Sequence, residues 1–367
     1  MIRTILFVAL IAYASCMTKT TVGTIPNGDK DGSFFPMNVI ADATMIPIAV
    51  GKWAEGDWDT KIYIYTSSDN GKTWSHSDTI VNDAYPIAFP QAMNDKHLIV
   101  SASDPNTYAT ELIDYSRTNN KLTPGHVIRM TEETAGADLT ADHIVSITPA
   151  GKVEEYVRSG DKLVAGVTDT VPVDSKPIGL RIVDDDMVLI DTNGTAVIAT
   201  RTGGAWKKTQ SIPVPAEYSM GDDSASSGQG IVVYHYENME TGEFKPSFVI
   251  FQRSGTQLTS FKLDITDAML NLKSQGIYVQ LMQGASPAVV DANTIEIPII
   301  CLTNHNSWAI TKVVVGKTGS SWRIKSAVVL DLGDYQIMEA DAVIATNGIS
   351  ALTYLHDTQA YSLIVAK

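Results

Sequence analysis

The sequence has only two cysteines, Cys16 and Cys301, and this scarcity excludes a small fold held together by several disulfide bonds. Two alternatives stay open for the pair: a disulfide that joins the N-terminus to a distant strand, or two free thiols with Cys301 buried. No Cys-x-x-Cys, His-Glu-x-x-His or Gly-x-Ser-x-Gly motif occurs, and the seven histidines are scattered singly. The sequence therefore gives no indication of a dithiol oxidoreductase, a zinc protease or an α/β-hydrolase.

Positive charge is also scarce. The chain has 27 Lys and Arg against 41 Asp and Glu, a net charge of −14, and it contains no run rich in Lys or Arg. Nucleic acids and anionic membrane surfaces attract clustered positive charge. Neither is therefore expected as a partner.

Long hydrophobic runs are missing after the N-terminus. Residues 1–14, MIRTILFVALIAYA, combine one Arg, an apolar stretch and a small-x-small cleavage site, which predicts a secretory signal peptide. A lipid-modified Cys16 is the weaker alternative, because Tyr13 stands where a Leu is usual. We therefore expect a secreted protein without a transmembrane segment, whose residues 15–367 form a single domain.

Two kinds of polar turn recur along the chain between short runs rich in Val, Ile and Tyr. Such a pattern predicts strands joined by hairpins. One kind has a Gly, or in one copy an Asn, three residues before an apolar residue. The apolar residues are Trp74, Leu122, Leu163, Trp206, Leu258 and Trp322. The other kind precedes each of these, at Asp42, Asp95, Asp142, Asp185, Gly228 and Asn293, and recurs once more at Asn347.

The two turns divide each unit into four strands, called A, B, C and D in chain order. Four-stranded units of roughly 40 to 50 residues are typical of a β-propeller. The last unit has only three strands, and the segment TKTTVGTI, residues 18–25, is expected to supply the fourth and close the ring. The sequence predicts an all-β propeller of four-stranded antiparallel blades, with seven blades, or six if two weak strands are miscounted.

The segment SSDNGKTW, residues 67–74, resembles the Asp-box, or BNR repeat, of the sialidase superfamily. The full motif, Ser67, Asp69, Gly71 and Trp74, covers only eight residues, and degenerate copies extend the resemblance along the chain as architecture. The Asp can accept hydrogen bonds from turn N–H groups, the Gly can adopt a positive φ, and the Trp can pack beneath. We expect a structural staple of a hairpin.

The resemblance implies two rims of different character. The A–B and C–D turns form one rim, here called the Asp-box rim. The B–C loops and the D-to-A links form the other, here called the B–C rim, where the family's chemistry lies. The first B–C loop is predicted over GKWAEGDWDT, residues 51–60. Aromatic faces and carboxylates suit sugars. Glycans or glycoproteins are therefore the expected partners, and solvated loop acids with aromatics folded into the blade edges are the alternative. The candidate ligand-binding residues are Lys52, Trp53, Asp57, Trp58, Tyr85, Tyr108, Arg181, Trp308 and Tyr335.

Active members of the superfamily hold a substrate carboxylate with three arginines, use a Tyr paired with a Glu as nucleophile, and use an Asp as acid/base. Phe34 stands where such members carry an Arg. Asp57 or Asp59 lies where the resemblance places the acid/base, and Asp59 is the better fit. We therefore expect a binding protein without sialidase-type hydrolysis. An exo-sialidase is the first alternative, a protein-docking propeller is the second, and a glycosidase with two carboxylates stays open.

Two further segments bear on ligands and modification. NGDKDGS, residues 27–33, has the alternating oxygen ligands of a calcium loop, with Asp29 and Asp31 as ligands, but it lacks the distal Glu of an EF-hand, and a plain polar turn is the favoured interpretation. No other cofactor is expected. Asn193-Gly194-Thr195 is the only N-glycosylation sequon.

Overall fold

A computed structural model of the chain describes residues 33–40, 42, 44–54, 57–69, 73–82, 84–104, 110–130, 135–214, 218–238, 246–266, 272–275, 279–284, 287–303, 308–333, 340–344, 350–355 and 361–366. Several predictions fall outside these residues. They are the signal peptide of residues 1–14, the closing strand of residues 18–25, the state of Cys16, and the calcium ligands Asp29 and Asp31. These stay predictions.

The described residues form seven antiparallel sheets, and in the first four the strands follow one another in chain order. Sheet 1 contains β1 (Ser33–Val39), β2 (Met45–Ala54), β3 (Asp57–Thr66) and β4 (Ser75–Ile80). Sheet 2 contains β5 (Ile87–Met93), β6 (His97–Ser103), β7 (Thr110–Thr118) and β8 (Lys121–Arg129). Sheet 3 contains β9 (Gly136–Leu139), β10 (His143–Ile147), β11 (Lys152–Ser159) and β12 (Lys162–Thr170). Sheet 4 contains β13 (Pro177–Val183), β14 (Asp186–Asp191), β15 (Thr195–Thr202) and β16 (Ala205–Pro213).

Sheet 5 keeps this plan, and sheets 6 and 7 vary it. Sheet 5 contains β17 (Tyr218–Gly228), β18 (Ile231–Asn238), β19 (Pro246–Ser254) and β20 (Gln257–Asp264), and a 3₁₀ helix, Leu272–Gln275, follows it. Sheet 6 has its first strand in two pieces, because β21 (Val279–Gly284) and β22 (Ala288–Asp291) both pair with β23 (Thr294–Thr303), which is followed by β24 (Trp308–Thr318) and β25 (Ser321–Gly333). Sheet 7 has three described strands, β26 (Ala340–Ile344), β27 (Ser350–Leu355) and β28 (Tyr361–Ala366).

The described A–B and C–D turns fall where the repeat predicts them, and the prediction of four-stranded antiparallel units is confirmed. The predicted turn at Asn347 lies outside the described residues. One backbone hydrogen bond recurs in six sheets, from the N–H at the end of strand C to a carbonyl in the A–B turn of the same sheet. The donor and acceptor pairs are Ser67–Thr44, Arg117–Lys96, Arg158–Asp142, Arg201–Asp185, Arg253–Gly230 and Lys317–Asn293. The two turns of a sheet therefore form one joined rim.

Consecutive sheets pack against one another. β5 of sheet 2 contacts β1, β2 and β3 of sheet 1. Between sheets 3 and 4, 4 and 5, and 5 and 6 the first strands are in contact, β9 with β13, β13 with β17, and β17 with β22. Sheets 2 and 3 share an apolar cluster that includes Ile99, Leu112 and Ile144. β23 of sheet 6 contacts β26 of sheet 7, and β1 of sheet 1 also contacts β26 and β27. The first and last described sheets are thus neighbours.

The core lies between the sheets, which explains the sequence pattern of the strands. β6 and β14 are buried along most of their length and read as continuous apolar runs, because neighbouring sheets cover both of their faces. The outer strands alternate in exposure, as in β16. None of the described helical segments is long and apolar enough to cross a membrane.

Candidate functional site

The B–C connection of sheet 1 is a hairpin and not the ten-residue loop predicted for GKWAEGDWDT. β2 continues to Ala54, and β3 begins at Asp57. The Trp residues and the neighbouring apolar positions favour extended backbone, and cross-strand pairing outweighs the polar composition of the segment. The hairpin brings the predicted residues into opposed register positions, with Trp53 opposite Trp58, Lys52 opposite Asp59, and Ala54 opposite Asp57.

The link from sheet 1 to sheet 2 is fastened to this hairpin by Thr60. The Thr60 N–H and hydroxyl both donate to the Pro86 carbonyl, each at 2.8 Å, and the Thr60 Oγ1 accepts from the Ala88 N–H. The neighbouring Tyr85 is half-buried, and its N–H donates to Asn82 Oδ1 at 3.0 Å. Tyr85 therefore lies on a D-to-A link that is held against strand C of sheet 1.

A charged pair on sheet 2 lies on the same rim. Glu111 on β7 is opposite Arg129 on β8, and Arg129 Nε donates to Glu111 Oε1 at 2.7 Å. The Glu111 side chain is buried, whereas the Arg129 side chain is 80% exposed. Arg129 also interacts electrostatically with Tyr85. Glu111 was not among the candidates from sequence, although its place near the start of strand C is the signal that could have found it.

Two tyrosines of β3 have altered acidity. Burial, and then the charge of Asp59, raises the pKa of Tyr63, and burial raises the pKa of Tyr65 to about 12. Both rings contact the His76 ring, with centroid distances of 6.0 and 5.6 Å. Neither tyrosine is therefore prepared to act as an ionised nucleophile near neutral pH.

The Asp-box residues form a local network on the opposite rim. Ser67 Oγ donates to Asp69 Oδ1 at 2.7 Å, and the Thr73 N–H and hydroxyl donate to the two Asp69 carboxylate oxygens at 2.8 and 2.7 Å. Trp74 is buried. These bonds lie within the turn, and Gly71 lies outside the described residues. The geometry fits the role of a hairpin staple.

Four arginines of the Asp-box rim are engaged between sheets. Each is the last residue but one of strand C and reaches a carboxylate of the preceding sheet. The pairs are Arg117 with Asp42 at 2.5 Å, Arg158 with Asp114 at 2.8 Å, Arg201 with Glu155 at 3.0 Å, and Arg253 with Asp186 at 2.6 Å. These four guanidinium groups form a ladder across sheets 1 to 5.

Two steps of this ladder include a histidine. Asp114 accepts two hydrogen bonds from Arg158, at 2.8 and 3.0 Å, and lies 3.1 Å from His97 Nδ1. Glu155 lies 2.7 Å from His143 Nε2 and also meets Arg201. Both carboxylates are almost completely buried. Buried charge is tolerated because each carboxylate has several donors.

Arg181 lies between the first strands of sheets 3 and 4. Its Nη1 donates to the carbonyls of Ala137 at 2.9 Å and Leu180 at 2.7 Å. The adjacent Asp138 accepts from the Ile182 N–H at 2.6 Å. Burial raises the pKa of Asp138, although the charge of Arg181 lowers it. These bonds tie β13 to β9, and Arg181 is the predicted ligand residue nearest that junction.

The other predicted ligand residues are dispersed or lie outside the described residues. Trp308 is the first residue of β24, opposite Leu302 and Gly333. Tyr108 and Tyr335 fall outside the described part of the chain. No group of three or more His, Cys, Asp or Glu side chains that could hold a metal ion occurs among the described residues.

Solved structures with a similar arrangement of sheets are β-propellers. The β-propeller domain of the trilobed protease from Pyrococcus furiosus matches with a TM-score of 0.52 and 10% identity, over 92% of this chain and 94% of that one. Sqt1 from Saccharomyces cerevisiae matches with a TM-score of 0.50 and 8% identity, over 95% of this chain and 100% of that one. No protein-family model and no curated protein matches the sequence.

The sheets, their order and these matches define the class of protein as a β-propeller. At 8 and 10% identity the likeness concerns the fold alone. The resemblance of residues 67–74 to the sialidase superfamily therefore stays a prediction from the sequence.

Proposed function

We propose that the protein is a secreted, seven-bladed β-propeller that binds a carbohydrate or glycoprotein at the B–C rim of sheets 1 and 2, without sialidase-type hydrolysis. The observation that carries the proposal is the β2–β3 hairpin, in which two tryptophans occupy opposed positions beside Asp59. Tyr85 and the Glu111–Arg129 pair lie on the same rim. Aromatic residues with nearby carboxylates suit a hydroxyl-rich ligand.

Closure of the ring is part of this proposal. Sheet 7 has three described strands, and β1 contacts β26 and β27. A fourth strand from residues 18–25 would complete sheet 7 and cover a free edge. Each described sheet then corresponds to one blade.

The engagement of the arginines supports binding without sialidase chemistry. Seven arginines remain after the N-terminal Arg3. Four of them pair with carboxylates on the Asp-box rim, Arg129 pairs with Glu111, and Arg181 donates to backbone carbonyls. A three-arginine clamp on the B–C rim would have to break several of these contacts, and each broken buried pair is costly.

The first experiment combines a glycan array with calorimetric titration of the best array ligand. We expect Trp53→Ala and Trp58→Ala each to weaken binding by about tenfold or more, since aromatic anchors dominate such contacts. Val164→Ala is the matched control, because Val164 is exposed on the outer strand of sheet 3. Equal affinity in the wild type and both Trp variants would refute the site.

A parallel assay tests the alternative activity. We expect no release of sialic acid from a fluorogenic sialoside between pH 4 and 8. Turnover that is lost in Asp59→Asn would favour the exo-sialidase. Copurification of one protein partner with an empty glycan array would favour a docking propeller.

A further inference from the structure

A cleft of about 420 Å³ lies on the Asp-box rim between sheets 1 and 2. It is bounded by the A–B turns of both sheets and the C–D turn of sheet 2, and its lining includes Asp42, Met93, Asp95, Arg117 and Asn119. Pockets for small molecules in proteins typically have volumes of about 300 to 1,000 Å³. The cleft is thus large enough for a small ligand, and it lies on the rim opposite the site proposed above.

The floor of the cleft is fixed and electrically balanced. The buried Arg117 donates to Asp42 Oδ2 at 2.5 Å, to the Asn94 carbonyl at 3.1 Å and to Asn120 Oδ1 at 3.2 Å, and it also bonds Thr44 Oγ1. These bonds join three turns. A ligand therefore meets a preorganised surface whose guanidinium charge is already paired with Asp42.

The turn above this floor has an unusual residue. Asn119 has a φ of 51°. The corresponding turns of sheets 3, 4, 5 and 6 have Gly160, Gly203, Gly255 and Gly319 at this place, with φ between 61 and 64°. A Cβ at any of these four glycines would meet nothing within 4 Å, so the backbone angle alone accounts for them. Only this turn of the five carries a side chain there, and that side chain lines the cleft.

The mouth of the cleft has unused polar groups. The side chains of Asn119 and Asp95 are exposed and make no hydrogen bond or ion pair with any residue in the described ranges. Met93 adds a partly buried apolar surface. Arg117 balances Asp42, so Asp95 leaves the lining with one uncompensated negative charge, which disfavours an anion. Amide and carboxylate acceptors beside a thioether suit a neutral, hydroxyl-rich molecule.

We propose that this cleft is a second ligand site, which takes a neutral sugar unit through Asn119 and Asp95. The site is independent of the tryptophan hairpin on the other rim. The two sites would allow one molecule to hold two glycan chains from opposite sides.

The test is saturation-transfer difference NMR on the full mature chain with lactose, cellobiose, maltose and mannobiose, followed by titration with the strongest binder. Asn119→Gly removes the amide and installs the residue that four other turns already use, so the fold should be kept. Asp95→Asn removes the charge. We expect each variant to weaken binding by about fivefold, the effect of one lost hydrogen bond. Asp161→Asn, in the exposed turn of sheet 3, is the matched control and should bind like the wild type.

The outcomes separate the two sites. Loss of binding in Asn119→Gly with full binding in Trp58→Ala supports the cleft. Loss only in Trp58→Ala overturns the cleft and leaves the proposed function in place. The absence of any signal with all four sugars, or stronger binding of glucosamine than of its neutral counterpart glucose, also overturns the proposal, because the ligand would then not be a neutral sugar.

Discussion

At the scale of single residues, the buried carboxylates of Asp114 and Glu155 each pair with basic side chains from two sheets. Asp114 is 2% exposed, and it hydrogen-bonds to His97 in its own sheet and to Arg158 in the next. Removing one partner of a buried ion pair leaves the other charge without compensation in a medium of low dielectric constant. Such positions should be far less tolerant of substitution than the acids on the surface.

Asp114→Ala is expected to lower the free energy of unfolding by about 3 to 5 kcal/mol, because the buried side chain of Arg158 would lose the two hydrogen bonds that it donates to Asp114. The measurement is chemical denaturation followed by tryptophan fluorescence. Asp142→Asn is the matched control, since Asp142 lies 3.7 Å from the same guanidinium and is 71% exposed. The control should change stability by no more than about 1 kcal/mol. Equal effects of the two variants would contradict a buried role for Asp114.

None of these pairs could be read from the sequence. Arg117 and Asp42 are far apart in the chain, and neither belongs to a motif that marks an ion pair. The motif of residues 67–74, by contrast, can be recognised in the sequence, because the side-chain hydrogen bonds of Asp69 with Ser67 and Thr73 join residues of one turn. The ladder joins residues that are far apart in the chain, so sequence reasoning missed it.

At the scale of elements, the register explains both a success and an error. Alternation of polar turns and apolar runs predicts the strands well, since each strand pairs with its sequence neighbour. The position of GKWAEGDWDT between strands B and C predicts a loop. In the structure it extends the β2–β3 hairpin, and the cross-strand Trp53–Trp58 pair is visible only once the register is known.

The outer strand of sheet 2 contains a β-bulge that the sequence pattern does not predict. β8 has a register shift opposite Asp114, and the shift occurs where Gly125 lies. A Cβ on Gly125 would stand 2.8 Å from the Asp114 carbonyl oxygen. The bulge thus leaves room for the backbone of the residue that holds His97 and Arg158.

Gly125→Ala is accordingly expected to destabilise the protein by about 1 to 3 kcal/mol, because the clash is with backbone that cannot rotate away. Thermal unfolding monitored by circular dichroism gives the measurement. Val127→Ala, on the same strand and exposed, is the control and should leave the midpoint almost unchanged. An unaltered midpoint in Gly125→Ala would show that the bulge can accommodate a Cβ at this position.

At the scale of the whole molecule, the contacts of β1 with β26 and β27 place the two ends of the described chain together. Deletion of residues 15–25 should lower the thermal midpoint by several degrees and broaden the transition, if that segment supplies the fourth strand of sheet 7. Deletion of residues 15–17 alone is the control and should behave like the intact chain. An unchanged transition in the longer deletion would exclude this closure.

The fold could be predicted further than the site. The same turns recur along the chain, so each repeat gives independent evidence for the fold. A ligand site depends instead on a few side chains from distant units. Glu111 and Arg129 face each other because of the register between β7 and β8, and Tyr85 lies beside them on the link from sheet 1 to sheet 2. The cleft lined by Asp42 of sheet 1 and by Asp95 and Asn119 of sheet 2 depends on the packing of these two sheets.

The arginine ladder also has a direction. Every one of its four guanidinium groups reaches backward, from a later unit to the unit made before it. During synthesis on the ribosome, the anionic half of each joint is therefore already in place when its cationic half emerges. Each of sheets 2 to 5 thus brings the guanidinium group that fastens it to the sheet made before it.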